Sequence, residues 1–140
     1  MICCGKQNVP VAPWLEKSLK KAIEIAKTDS SIEIHVLYIL TIPAQQLIVM
    51  VPYLEMRDNM VRYGEDILSH AQSALASIPN EFQCLQKEGV PAYVILDYAK
   101  NNNCDLIIMG SRGLSGIKEY LGSVSHTVVQ QSLVPVLIVK

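Results

Sequence analysis

Between Met109 and His126 the chain reads MGSRGLSGIKEYLGSVSH, which places Gly110, Gly113, Gly116 and Gly122 among Ser111, Ser115, Ser123 and Ser125. Glycine loses more backbone entropy on folding than any other residue, so this density signals unusual torsions or very close approach to the backbone. Gly113 and Gly122 are the positions expected to need that freedom, whether as positive φ or as open access to the main chain. A phosphate is one group that comes so close. The segment leaves the apolar run DLIIM and enters a helical pattern near Gly122 and Ser123. A helix start offers unpaired N–H groups and a partial positive charge, and so favours anions. Ser123 and Ser125 bring hydroxyl donors, and Arg112 and Lys118 bring charge. Neither common phosphate motif is present: no Gly-Lys-Ser/Thr occurs, and Gly110, Gly113 and Gly116 are evenly spaced rather than set as GxGxxG. On residue types alone two readings stand, a phosphate cradle or a surface loop whose Gly122 and Ser123 cap a helix.

Other reactive side chains are sparse. His35 lies in a strand pattern, His70 on the polar side of a long helix, and His126 one turn beyond Gly122, where it is either an exposed helix residue or a phosphate contact. None has a partner at a spacing that suggests a catalytic triad. Glu119 is the single acid near the glycine segment, so no acidic pair is placed for Mg²⁺ and any hydrolysis would be slow. Cys3, Cys4, Cys84 and Cys104 have no metal-ligand spacing and read as small buried hydrophobes in a reducing compartment. A binding protein is favoured over an enzyme.

The elements that must position these residues follow from periodicity. Residues 13–27 carry Leu15, Leu19, Ala22, Ile23 and Ala26 on one helical face, with Pro13 in the first turn. Residues 31–40 are β-branched and aromatic and read as a buried strand. The spacing predicts a helix over 53–78, stopped by Pro79 and Asn80, a strand over 82–86, a helix over 91–103, a strand over 105–109, a helix over about 122–133 and a final strand in PVLIVK. With MICC as the first strand, strands and helices alternate throughout. That pattern means right-handed crossovers and an α/β fold with an open parallel sheet and helices on both faces. Ligands in such folds bind beyond the C-terminal strand ends. Segment 41–52, TIPAQQLIVMVP, is apolar and stays open between a lid, an interface loop and an early start of the helix.

Composition sets the frame. One domain, 1–140, is expected, with half its residues apolar, 18% charged and a net charge of -1. No basic stripe suggests nucleic acid, no apolar run suggests a membrane span, and MICCGKQ lacks a signal-peptide core, so a soluble cytoplasmic protein is expected.

The stretch DLIIMGSRGLSGIKEYLGSVSHTVVQQSLVPVLIVK resembles the C-terminal signature of the universal stress protein family. The family's nucleotide-binding branch carries Gly-x-x-Gly, nine residues, then Gly-Ser/Thr; Gly110, Gly113, Gly122 and Ser123 match in kind. GVPAYVILDYAKNNNCDLIIMGSRG resembles the family's third helix and fourth strand, and the likeness extends from residue 15 onward. It implies a five-stranded sheet of order 3-2-1-4-5, ATP or AMP as ligand with Mg²⁺ as a candidate companion, and a homodimer. Carried over residue by residue, Ile39 and Met109 would flank the base, Gly110, Arg112 and Gly113 would line the phosphates from the loop, and Gly122, Ser123, Val124 and Ser125 from the helix start. Two departures stand out. Eight residues separate Gly113 from Gly122, and no aspartate precedes Asp29, so either Gly5 or Pro10 takes the place of the family's first-strand aspartate at the adenine end. The final strand, Val136 to Val139, carries no charge and is expected at a sheet edge, where a two-fold partner would cover it. Two functions remain open, a nucleotide-binding regulator and a dimeric scaffold of the same fold that has lost the ligand.

Overall fold

The structure is a computed structural model that describes residues 2–5, 13–41, 50–111 and 121–140. Its elements alternate in chain order: β1 (Ile2–Gly5), α1 (Pro13–Ala26), β2 (Ile34–Leu40), α2 (Met50–Leu75), β3 (Phe82–Glu88), α3 (Pro91–Asn101), β4 (Ile107–Gly110), α4 (Ser123–Gln131) and β5 (Val136–Val139). Every strand pair is parallel. β1 lies between β2, with Gly5 opposite Tyr38, and β4, with Cys4 opposite Met109. β3 extends the sheet beyond β2 and β5 extends it beyond β4, giving the order β3-β2-β1-β4-β5.

The period-two alternation of a strand divides the core between the two faces. Ile34, Val36, Tyr38 and Leu40 of β2 pack with Leu19, Ala22 and Ala26 of α1 and with Ile67, Leu68, Ala71 and Leu75 of α2. Leu37 and Ile39 point the other way, to Ala92, Ile95 and Ala99 of α3, Met109 of β4 and Val128 of α4. All seven residues of β2 are buried, as a strand covered on both faces requires.

Boundaries differ from expectation for local reasons. α2 takes in the last three residues of the 41–52 segment, while 42–49 lie outside the described residues. It ends at Leu75 rather than Ile78, because the residue before Pro79 is biased away from helical torsions; Ala76–Ile78 turn instead, with the Ile78 N–H on the Leu75 carbonyl at 3.1 Å. α3 ends at Asn101; the Asn102 N–H and Nδ2 both donate to the Tyr98 carbonyl, and Asn103 takes φ 50, a left-handed torsion that asparagine tolerates. Among the described residues no helix is long and apolar enough to cross a membrane.

Two contacts fix the packing. Asn80 is buried, and its Nδ2 reaches the carbonyls of Ala26, Asp29 and Ile32 at 3.1, 2.9 and 2.9 Å. It ties the approach to β3 to the end of α1 and the approach to β2. Gly64 lets α2 settle on the sheet: a Cβ there would lie 2.6 Å from Cδ1 and Cε1 of Tyr38 and against Oε1 of Gln86.

Candidate functional site

β4 delivers the chain to the C-terminal rim of the sheet at Gly110, which is buried and opposite Val139 of β5. Ser111 follows and serves as a junction. Its N–H donates to the Val139 carbonyl at 2.9 Å, and its own carbonyl accepts the Gly122 N–H at 2.8 Å and the Ser125 hydroxyl at 3.0 Å. The two ends of the glycine-rich segment are therefore held together where α4 begins.

Gly122 is the residue before the first turn of α4, with φ -63 and ψ 155. That torsion is ordinary extended backbone, open to any residue, so the expectation of positive φ at Gly122 is corrected: the torsion does not call for glycine. The helix makes its first bond from the His126 N–H to the Gly122 carbonyl at 2.8 Å. Helix geometry leaves the N–H groups of Ser123, Val124 and Ser125 without intrahelical acceptors, at the positive end of the dipole. Ser123 is exposed and Val124 half-buried.

Ser125 sits differently from the expectation that its hydroxyl faces a phosphate. It is 3% exposed, and its hydroxyl is directed inward to the carbonyls of Ser111 and Gly122, at 3.0 and 2.9 Å. Its backbone N–H remains at the helix start. Ile39 and Met109 are 1% and 4% exposed and belong to one apolar cluster behind this rim, with Val124 and Ile138 packed against it. Gly5 closes β1 at the same rim, beside Tyr38, and itself brings no side chain there. Arg112 and Gly113, with Lys118 and Glu119, lie outside the described residues.

A second polar cluster, which the spacing of histidines in the sequence did not suggest, stands at the opposite pole. His35 Nε2 lies 2.8 Å from Glu33 Oε1, and His35 Nδ1 lies 2.8 Å from the Tyr98 hydroxyl. A carboxylate only accepts, so Nε2 donates to Glu33, while the direction of the Nδ1–Tyr98 bond follows the proton placement on the ring. The hydrogen bonds from His35 and from Gln83 hold the Glu33 carboxyl below its usual range. A cavity of about 390 Å³ opens beside it, lined by Glu33, His35, Cys104 and Asp105 among others. Tyr98 is nearly buried, and burial pushes its hydroxyl pKa up, so the line offers no activated nucleophile. It braces β2 against α3. One signal for it existed: in the strand read over 31–40, Glu33 and His35 are two apart and so fall on one face, although β2 itself begins at Ile34. Two thiols are quiet as well, with Cys84 pushed up to about 11 by burial and Cys104 raised for the same cause. Among the described residues no three His, Cys, Asp or Glu side chains converge as a metal site.

Comparison with known proteins adds to this geometry. The sequence model of the universal stress protein family matches residues 15–140. The chain is 38% identical over 133 residues to universal stress protein YxiE of Bacillus subtilis (strain 168), covering 89% of each chain. Its fold is similar to that of universal stress protein UspA from Lactobacillus plantarum, with TM-score 0.85, 21% identity, and coverage of 99% of this chain and 95% of that one. It is also similar to a universal stress protein solved in complex with cAMP (TM-score 0.70, 21% identity, 99% and 96% covered). An Arabidopsis thaliana protein of that family solved with AMP bound has TM-score 0.66 and 18% identity, with 99% and 89% covered.

Proposed function

The chain belongs to the universal stress protein family, and from that premise we propose that it is a cytoplasmic regulatory protein that binds an adenine nucleotide, ATP or AMP, rather than an enzyme. One observation carries the reading. The end of β4 and the start of α4 are hydrogen-bonded together, so that Gly110 adjoins a helix start whose Ser123, Val124 and Ser125 N–H groups have no intrahelical acceptor, the arrangement that favours an anion. Relatives solved with cAMP and with AMP support the choice of ligand. Gly122 gives the phosphates access, and the Ser123 hydroxyl adds a donor. Arg112 and Gly113 complete the phosphate side from the loop, and Ile39 and Met109 form an apolar floor toward the base. The five-strand order supports this reading, bringing the ends of β1, β2 and β4 to one rim. Mg²⁺ would enter as the counter-ion of ATP, held chiefly by its phosphates.

Calorimetry on the purified protein tests this. ATP should bind more tightly than adenosine, because phosphate contacts dominate the site. With Gly5 at the adenine end, ATP and GTP should differ little. Equal and weak responses to ATP and adenosine, with no thermal shift from either, would favour the dimeric scaffold that holds no nucleotide. Gly122→Val should fold, since the torsion suits valine, yet lower ATP affinity by about 10- to 100-fold by crowding the approach to charged hydrogen bonds. A folded Gly122→Val protein with unchanged affinity would place the phosphates elsewhere.

The same reading includes a homodimer through Val136 to Val139. β5 is the outer strand beside β4, and all four residues are only partly buried. The Val139 carbonyl accepts from Ser111, and a strand residue directs its N–H and C=O to the same side. Val139 therefore faces β4, and Val136 and Ile138 direct their N–H groups to the open edge, where a two-fold copy would pair. The wild-type protein should sediment as a dimer at micromolar concentration. Ile138→Pro should sediment as a monomer with its helical circular dichroism retained. A wild-type monomer, or a dimeric Ile138→Pro, would refute pairing through this strand.

A further inference from the structure

We infer that Ser125 is a positioning residue for the phosphate site, acting through the Ser111 and Gly122 carbonyls and not by touching the ligand; this rests on the nucleotide-binding reading above. The hydroxyl is buried at 3% exposure and lies within 3.0 Å of both carbonyls, one on each side of the glycine-rich segment. A hydroxyl has one proton and rotates to suit its acceptors, so it serves these two carbonyls in alternation or shares the proton between them. Beside it, the Gly122 N–H donates to the same Ser111 carbonyl at 2.8 Å. Ser111 is in turn fixed to β5 by its N–H on Val139. Three bonds thus converge on one residue at the strand end and set where the first turn of α4 begins.

The consequence concerns orientation. The N–H groups that would meet phosphate belong to Ser123, Val124 and Ser125, and their direction follows from the torsions of Gly122. If the link to Ser111 opens, the turn frays and the three donors lose their common aim. Preorganised donors bind an anion better than mobile ones, because no ordering cost falls on the binding step. Ser123 has the opposite arrangement: it is exposed at the first position of α4, and no bond from its side chain to the strand end is present among the described residues. The two serines of the helix start therefore divide the work, Ser123 toward the ligand and Ser125 toward the fold.

The experiment compares wild type, Ser125→Ala, Ser125→Thr and Ser123→Ala in the full chain. Native-state amide exchange is read at Gly122, with Ile107 as the control, whose N–H donates to Pro135 at the far end of β4. ATP and inorganic triphosphate affinities are measured in parallel. Without ligand, Ser125→Ala should speed exchange at Gly122 about five- to ten-fold while Ile107 is unchanged, which a general loss of stability would not do. Its affinity for ATP and for triphosphate should fall about ten-fold. Ser125→Thr, which keeps the hydroxyl, should restore both, and Ser123→Ala should weaken binding with Gly122 exchange unaltered. Weaker binding by Ser125→Ala with unchanged Gly122 exchange would overturn the inference and make the hydroxyl a direct ligand. So would unchanged binding with faster exchange. If the wild type binds neither ATP nor triphosphate, the nucleotide reading itself fails and the positioning role falls with it, whatever Gly122 does.

Discussion

Asn80→Asp is expected to lower stability by about 4 kcal/mol at pH 7, which corresponds to roughly 10–15 °C in Tm for a chain of this size. The substitution is nearly isosteric, so packing is not the cause. Asn80 Nδ2 donates toward three carbonyls, of Ala26, Asp29 and Ile32, from a site that is 4% exposed. Aspartate replaces that donor with a second acceptor and sets an ionised oxygen against three carbonyl oxygens. The buried carboxylate has no counter-charge among these contacts, so its folded pKa must rise above the unfolded value. The sign then follows. A raised folded pKa contributes stability below the unfolded pKa, and that contribution is lost as pH rises toward the folded value. The variant should therefore stand closer to the wild type at pH 4 than at pH 7. Chemical denaturation of both proteins at the two pH values decides the matter; an equal gap at both, or a gap below about 1 kcal/mol, would show that the three carbonyls do not depend on this donor.

Gly64→Val is expected to cost about 3 kcal/mol, and Gly64→Ala a smaller amount of the same sign. The sign for alanine is the informative part. In a helix interior alanine is normally preferred to glycine by about 1 kcal/mol, and Gly64 lies in the middle of α2. Here a Cβ would stand 2.6 Å from two ring carbons of Tyr38. Gln86 could swing its amide aside, but the Tyr38 ring is 1% exposed and has no room to retreat. Burial also pushes its hydroxyl up to about 12, so it stays a neutral phenol throughout the physiological range. Thermal unfolding of the two variants tests this; a stabilised Gly64→Ala protein would mean that α2 rides further from the sheet than 2.6 Å implies.

The alternation of elements was legible because each carries its own period. β2 reads as an apolar and aromatic run interrupted only by His35, and α1 repeats Leu19, Ala22 and Ala26 on one face. The contacts that join elements were not legible. Pro79 and Asn80 read as a helix stop, and Pro79 accounts for the stop, but nothing local announces that Asn80 reaches back to Ala26, 54 residues earlier. Gly64 reads as one more member of the buried face of α2, because its meaning depends on how closely that helix crosses Tyr38. The line from Glu33 through His35 ends on Tyr98, 63 residues beyond the histidine, and only the parallel sheet brings α3 over β2. At the candidate site, glycine density signals either unusual torsion or access to the backbone, and at Gly122 the torsion is ordinary. Residue type alone could not tell Ser123 from Ser125, since the direction of each hydroxyl is set by its place on the first turn of α4.

In a parallel sheet all strands begin at one pole. The Asn80 clamp and the line from Glu33 to Tyr98 both lie there, whereas Ser111 and Gly122 lie at the other. Replacements at the first pole are judged by whether the chain folds at all, and many at the second only by what the rim admits. If the rim holds a nucleotide as proposed, a lineage descended from such a chain could exchange it for another small molecule through a few changes beyond β4, leaving its architecture untouched. Divergence of ligand preference, under this geometry, needs no passage through unfolded intermediates.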